Sequence, residues 1–166
     1  MPSVISIALP ANALLGKYLA QDGAYTDCYM TTVSGDVSLE QFVNVFFDTW
    51  LFRIERKILS ATIGKPSTQR DIANLATGTA DRLAAWHVEE RNTDQLLLAV
   101  GTGPIRTWLM RKCDGDKTHL YFGSAILPMA RDGQGRAKMG FTFRALLGFH
   151  KIYARALLRA AAKSLR

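Results

Sequence analysis

Cysteine is scarce in this chain. Its two thiols, Cys28 and Cys113, are too few for a disulfide framework and lie too far apart for a cysteine-rich zinc site, which makes a reducing compartment the expectation. Long hydrophobic runs are missing as well. The N-terminal stretch MPSVISIALPANALLGKYLA has no basic leader, and Pro10, Asn12 and Lys17 interrupt it before the ~18 apolar residues that a membrane span needs. No signal peptide and no span are read, so the expected setting is soluble and cytoplasmic. With no internal repeat and no low-complexity linker, residues 1–166 read as a single domain.

Reaction signatures are lacking too. Ser60, Ser67 and Ser124 stand outside any Gly-x-Ser-x-Gly elbow. Gly101-Thr102-Gly103 is followed by Pro104 and opens no helix, so it lacks the helix-terminal amides of a phosphate loop. His87, His119 and His150 have no His, Cys or carboxylate at local ligand spacing, so neither a metal nor a cofactor is expected. The C-terminal end lacks acid. Residues 131–166 carry nine Lys and Arg against Asp132 alone, while the first 130 residues are nearly balanced, with twelve basic and thirteen acidic side chains.

What is present is an ordinary globular composition, 48% hydrophobic with a net charge of +7, enough to bury a core. Ala24 to Val33 is rich in Tyr, Thr and Val and reads as a strand ending at the turn Ser34-Gly35-Asp36. Ser38 with Gln41 has the capping-box form, opening a helix expected from Leu39 to Ile63 and stopped by Gly64 and Pro66. Phe42, Val43, Phe46, Phe47, Trp50, Leu51, Ile54 and Ile58 share one face of that helix. Val45, Phe52 and Leu59 form a thinner second stripe, so protein or a partner subunit should cover it on two sides.

A short helix from Gln69 to Leu75 precedes four strand-like segments, Ala84–Arg91, Gln95–Val100, Ile105–Cys113 and His119–Met129. The turns between them are short, which favours antiparallel neighbours. A last helix, Phe143 to Arg166, is two-faced. Arg144, Lys151, Arg155, Arg159 and Lys163 line one side, with Leu146, His150, Tyr153, Ala154, Leu157, Ala161 and Leu165 on the other. The expected class is therefore α+β.

Strand, helix, short helix, meander of strands and closing helix is the element order of the helix-grip fold. Trp50-Leu51-Phe52-Arg53-Ile54 with the later Gly64, His119-Leu120-Tyr121-Phe122-Gly123-Ser124, and Leu147-Gly148-Phe149-His150-Lys151-Ile152-Tyr153 resemble a bacterial branch of the START-like (SRPBCC) superfamily of polyketide cyclases, aromatase-like proteins and lipid-transfer domains. The resemblance implies a curved antiparallel sheet wrapped around the C-terminal helix, with a small apolar or aromatic molecule bound between them. It implies no particular reaction.

Candidate lining residues are His150 and Tyr153 on the helix and Trp86, Trp108 and Tyr121 on the strands. His150 and Tyr153 can serve as acid and base on a ligand, or as a core histidine with one hydrogen bond beside a packed tyrosine. The aromatics can line a hollow or fill a core. Glu89 and Glu90 point to opposite faces; if Glu90 is the inward one, Arg53 or Arg106 must answer it. His87 and His119 read as surface side chains and Cys28 as a buried apolar one. The basic helix face is either a solvated surface or an interaction module for an acidic partner, nucleic acid or an anionic membrane. A homo-oligomer is also compatible with the second apolar stripe.

Overall fold

The computed structural model describes residues 3–54, 67–128, 133–134 and 141–165, with side chains in the last helix from residue 147 onward. Seven strands form one curved, unclosed antiparallel sheet: β1 (Ile5–Ser6), β2 (Tyr25–Ser34), β3 (Arg82–Leu83), β4 (Trp86–Arg91), β5 (Gln95–Val100), β6 (Ile105–Asp114) and β7 (Lys117–Ile126). Their spatial order is β1-β2-β7-β6-β5-β4-β3. The helices are α1 (Leu39–Phe47), α2 (Gln69–Thr77) and α3 (Phe141–Ser164), and a 3-10 turn spans Leu14–Tyr18. This is the α+β architecture expected, with β1 and β3 added; at two residues each they leave no periodic trace in the sequence.

The backbone of the fold is the ladder of β2 on β7, ten residues in unbroken register from Tyr25 opposite Ile126 to Ser34 opposite Lys117. Strand side chains alternate, so the sheet has two faces to cover. On the inner face Tyr29, Val33, Leu96, Leu98, Leu109, Leu120 and Phe122 meet Phe42 and Phe46 of α1, Leu75 of α2 and Leu157, Leu158 and Ala161 of α3. On the outer face Cys28, Leu97, Trp108, Met110, Tyr121 and Ala125 are covered by Ala13 and Leu15 from the N-terminal segment.

The expected long helix is broken. The Ser38–Gln41 capping box opens α1, but α1 ends at Phe47. The Thr49 hydroxyl donates to the Phe46 carbonyl (3.0 Å) and accepts from the Phe52 amide (3.3 Å), so one side chain closes α1 and caps the helical backbone that resumes over 50–54. The break resets the helical phase. Phe52, expected on the thin stripe, is 3% exposed and packs on Phe46, Phe47 and Trp86, while Trp50, expected in the core, is 64% exposed. The rest of the expected helix, 55–63, lies outside the described residues. α2 has its own capping box, Thr68 with Asp71, and ends at Gly78 in the left-handed conformation (φ +79°). There the Arg91 guanidinium donates to the carbonyls of Leu75 and Ala76.

Polar contacts fasten the N-terminal cover. Alternation places Glu89 on the outer face with His87, and a bulge between Val88 and Glu90 brings Glu90, opposite Leu97, to the same face, so the two do not point apart as expected. Arg106 Nε donates to Glu89 at 2.6 Å, Lys17 pairs with it at 2.8 Å and the Tyr18 hydroxyl donates to it. Glu89, not Glu90, thus takes Arg106. Glu90 is exposed and meets Lys17 at 3.1 Å, and Arg53 pairs with Asp48. Burial pushes the Glu89 carboxyl up, but hydrogen bonds from Lys17 and Tyr18 and the Arg106 charge outweigh it and hold it below the usual 4.5. A carboxyl held low in the folded state stabilises it above the unfolded value and loses that contribution as pH falls through the folded value. Glu89→Gln is therefore expected to cost about 1–2 kcal/mol at pH 7 and to flatten the decline in unfolding free energy below pH 4.5. Urea titrations at pH 7 and pH 3.5 check both; an unchanged acid slope would remove Glu89 from the account.

Candidate functional site

An acid stands on the inner face of β2, where the alternation Tyr25, Asp27, Tyr29, Val33 faces α3. The Asp27 side chain is 7% exposed. Its Oδ1 accepts the Ser124 amide of β7 at 3.0 Å and its Oδ2 accepts the Tyr25 hydroxyl at 3.2 Å. A buried carboxylate needs such donors, and a phenol and a backbone amide supply them. Burial, reinforced by the Asp27 charge, pushes the Tyr29 phenol up to about 12, with Arg155 at 5.4 Å over the ring drawing it part of the way back. The Tyr25 phenol is pushed up for the same first two reasons. Both phenols therefore stay protonated near neutral pH.

His150 meets this acid from α3. Its Nε2 lies 3.1 Å from Asp27 Oδ2, and the imidazole is 25% exposed. The separation is that of an ion pair, but the direction misses a hydrogen bond, so among the described residues this buried nitrogen has none. Tyr153, one turn on, stacks against Phe149 with centroids 5.9 Å apart and planes 13° apart. Asp27, an acid in the inward phase of an apolar strand, escaped the sequence reading; the Tyr-x-Asp-x-Tyr alternation was the signal for it.

The neighbouring backbone has no slack. Gly123 of β7 lies opposite both Cys28 and Trp108, and a Cβ on it would come within 2.8 Å of the Asp27 carbonyl oxygen and 2.9 Å of Leu15 and of the Trp108 ring. Only glycine lets the N-terminal cover lie this close to the sheet.

Of the five expected lining residues, the structure brings His150 and Tyr153 together and separates the rest. Trp86 lies on the same face but on β4, four strands from β2 or roughly 19 Å at the usual strand spacing, buried under Phe47 and Phe52. Trp108 and Tyr121 belong to the outer face, where Trp108 Nε1 donates to Gln95 at 2.9 Å. A space between sheet and C-terminal helix has neither as a wall. The aromatics of the inner face largely fill it, Phe46 packing on Phe42, Phe47, Phe52 and Phe122.

Lys151, Arg155, Arg159 and Lys163 are exposed, and the Arg144 side chain lies outside the described residues. His119 Nδ1 is 2.9 Å from the Thr32 hydroxyl, and His87 is half-buried on β4. At the other end of the sheet an open polar depression of about 480 Å³ is lined by Asn12, Asp94, Gln95, Arg111 and Cys113 among others, with Arg111 paired to Asp36 and Asp94. Among the described residues no three His, Cys, Asp or Glu side chains gather into a metal-binding group, and no helix is long and apolar enough to cross a membrane.

No protein-family model matches the chain, and no curated protein matches it. Among solved structures, CalU16 from Micromonospora echinospora is similar over 99% of this chain and 94% of its own, at 12% identity and a TM-score of 0.30. A likeness that loose carries no weight for fold or function.

Two outcomes are expected. Gly123→Ala should destabilise the protein by about 1–3 kcal/mol, because the methyl meets a backbone oxygen and a packed ring; a melting temperature within a degree of the parent would contradict the close approach. Burial, with Asp27 adding to it, pushes the Cys28 thiol up to about 12. Iodoacetamide at pH 8 should therefore modify exposed Cys113 and spare Cys28 in the folded protein, as peptide mass mapping would show.

Proposed function

We propose that the protein binds a small, largely apolar or aromatic molecule bearing one hydroxyl or carbonyl group where α3 crosses the end of β2, with His150 as the polar anchor. One observation carries the reading. Nε2 of His150 is buried, lacks a hydrogen bond among the described residues and sits 3.1 Å from a nearly buried carboxylate. Buried polar atoms are ordinarily satisfied, so one left over calls for an explanation, and a ligand hydroxyl or carbonyl would supply it here. Asp27 fixes the charge environment of the imidazole, Tyr25 and the Ser124 amide fix Asp27, and Tyr153 supplies an aromatic flank beside the anchor. An antiparallel sheet under a long C-terminal helix is also the scaffold the START-like resemblance implies, and that superfamily holds apolar ligands between the two. Binding is the whole of the proposal; catalysis is not part of it.

A fused aromatic alcohol such as 2-naphthol is a suitable probe. Titrated into the isotope-labelled protein, it should shift the His150 ring resonances and the Ser124 amide, and Asp27→Asn should weaken it about tenfold by removing a charge-assisted contact. Native mass spectrometry of gently purified protein should show a bound mass that His150→Ala loses. Naphthol shifts confined to the outer face, together with no co-purified mass, would sink the proposal.

A further inference from the structure

The outward side of α3 carries a second feature that the ligand site does not use. With Lys151 as origin at 100° per residue, Arg155, Arg159 and Lys163 fall at about 40°, 80° and 120°. Ile152, at about 100°, lies inside that arc, and Phe149, at about 160°, borders it. Both are bare, Ile152 at 72% exposure and Phe149 at 67%, the two highest values among the large hydrophobics of the described residues. Surface helices that merely solvate a fold set their bulky apolar residues away from their charges.

Among the described residues the four α3 cations meet no carboxylate, Arg155 resting instead over the Tyr29 ring at 5.4 Å. Lys17, Arg53, Arg106 and Arg111 each have a carboxylate within 3.1 Å. The helix sequence explains the contrast, since no Asp or Glu follows Asp132. The pairs at four-residue spacing that usually neutralise an exposed helix are therefore absent.

We propose that this face of α3 docks on an anionic lipid surface, Phe149 and Ile152 entering the headgroup region and Lys151, Arg159 and Lys163 meeting the lipid phosphates. Exposed bulky side chains within and beside a cationic arc are the pattern of a helix lying in the membrane interface, where apolar burial and attraction to anionic headgroups add. Nucleic acid would also use the cations, and apolar wedges do enter base steps, but a bilayer interface takes up Phe149 and Ile152 together without unstacking any base, which favours lipid and makes oligonucleotide binding an outcome of the test.

Co-sedimentation of the whole chain at 0.15 M salt tests this, with vesicles of phosphatidylcholine alone or with 30% phosphatidylserine; at that salt the screening length is ~8 Å and weak long-range attraction is damped. The expected result is partition onto the anionic vesicles only. The triple change Lys151→Glu, Arg159→Glu, Lys163→Glu should reduce it at least about a hundredfold, from roughly fivefold for each cation removed. Phe149→Ser with Ile152→Ser should reduce it about tenfold at unchanged charge. All five positions are solvent-facing, and circular dichroism of the variants confirms that each is folded. A Phe149→Trp variant quenched by brominated lipid gives an independent reading of insertion. Equal partition onto neutral vesicles, no partition onto either, or partition unaffected by the two serines would overturn the proposal. So would tight binding of a DNA or RNA oligonucleotide alongside failure to bind vesicles.

Discussion

A sheet that buries both of its faces constrains everything else in this molecule. The β2–β7–β6 ladder alternates large apolar side chains up and down, so neither side can be left to solvent, and 166 residues must supply two covers. The helices serve the inner side. The outer side falls to a short N-terminal strip, and a strip that thin succeeds only by close approach. Gly123 supplies the missing volume beneath Leu15, and Gln95, by accepting from the Leu14 amide and donating to the Asn12 carbonyl, stands in for a strand partner. The Glu89 cluster then fixes the end of the strip in place.

That two-sided burial decides what could be read from the sequence. Element types and order were legible because they rest on local chemistry: both helix-opening hydroxyls are followed three residues later by an acid or amide, and the glycine turns at Gly35 and Gly115 have positive φ. Which cover each strand phase faces is not local. Period-two alternation tells Trp108 and Tyr121 apart from Leu109 and Phe122, but nothing in the strands says which set meets the helices. The N-terminal segment, read only for what it lacks, turned out to be the outer cover, so two of the expected lining aromatics lie on the wrong side of the sheet. The broken helix has the same character. Its apolar period continues through Asp48 and Thr49, and a single hydroxyl at Thr49 rotates the next helical turn, exchanging Phe52 for Trp50 in the core.

The candidate site was legible by half. His150 stood out because an imidazole on an apolar helix face needs a partner. The partner is 123 positions away in sequence, on a strand whose inward residues include an acid. Such a pairing is a tertiary fact, reachable from sequence only by asking of Asp27 the question asked of His150, namely what satisfies it when its neighbours in phase are Tyr25, Tyr29 and Val33.

The inner and outer roles proposed for α3 meet within five residues, Phe149 to Tyr153. Helical geometry makes this possible, because His150 and Tyr153 sit one turn apart facing the sheet while Phe149, Lys151 and Ile152 take the rest of the circumference. The stacking of Phe149 on Tyr153 joins the two sides at one edge, and the Arg155 guanidinium over Tyr29 joins them at the other. A lipid surface drawing Phe149 away from Tyr153 or Arg155 away from Tyr29 would alter the flank and the electrostatics of the Asp27–His150 pair without touching either residue. The two sites would then share a coupling free energy, and by linkage a ligand at His150 would change affinity for the membrane by the same factor that the membrane changes affinity for the ligand.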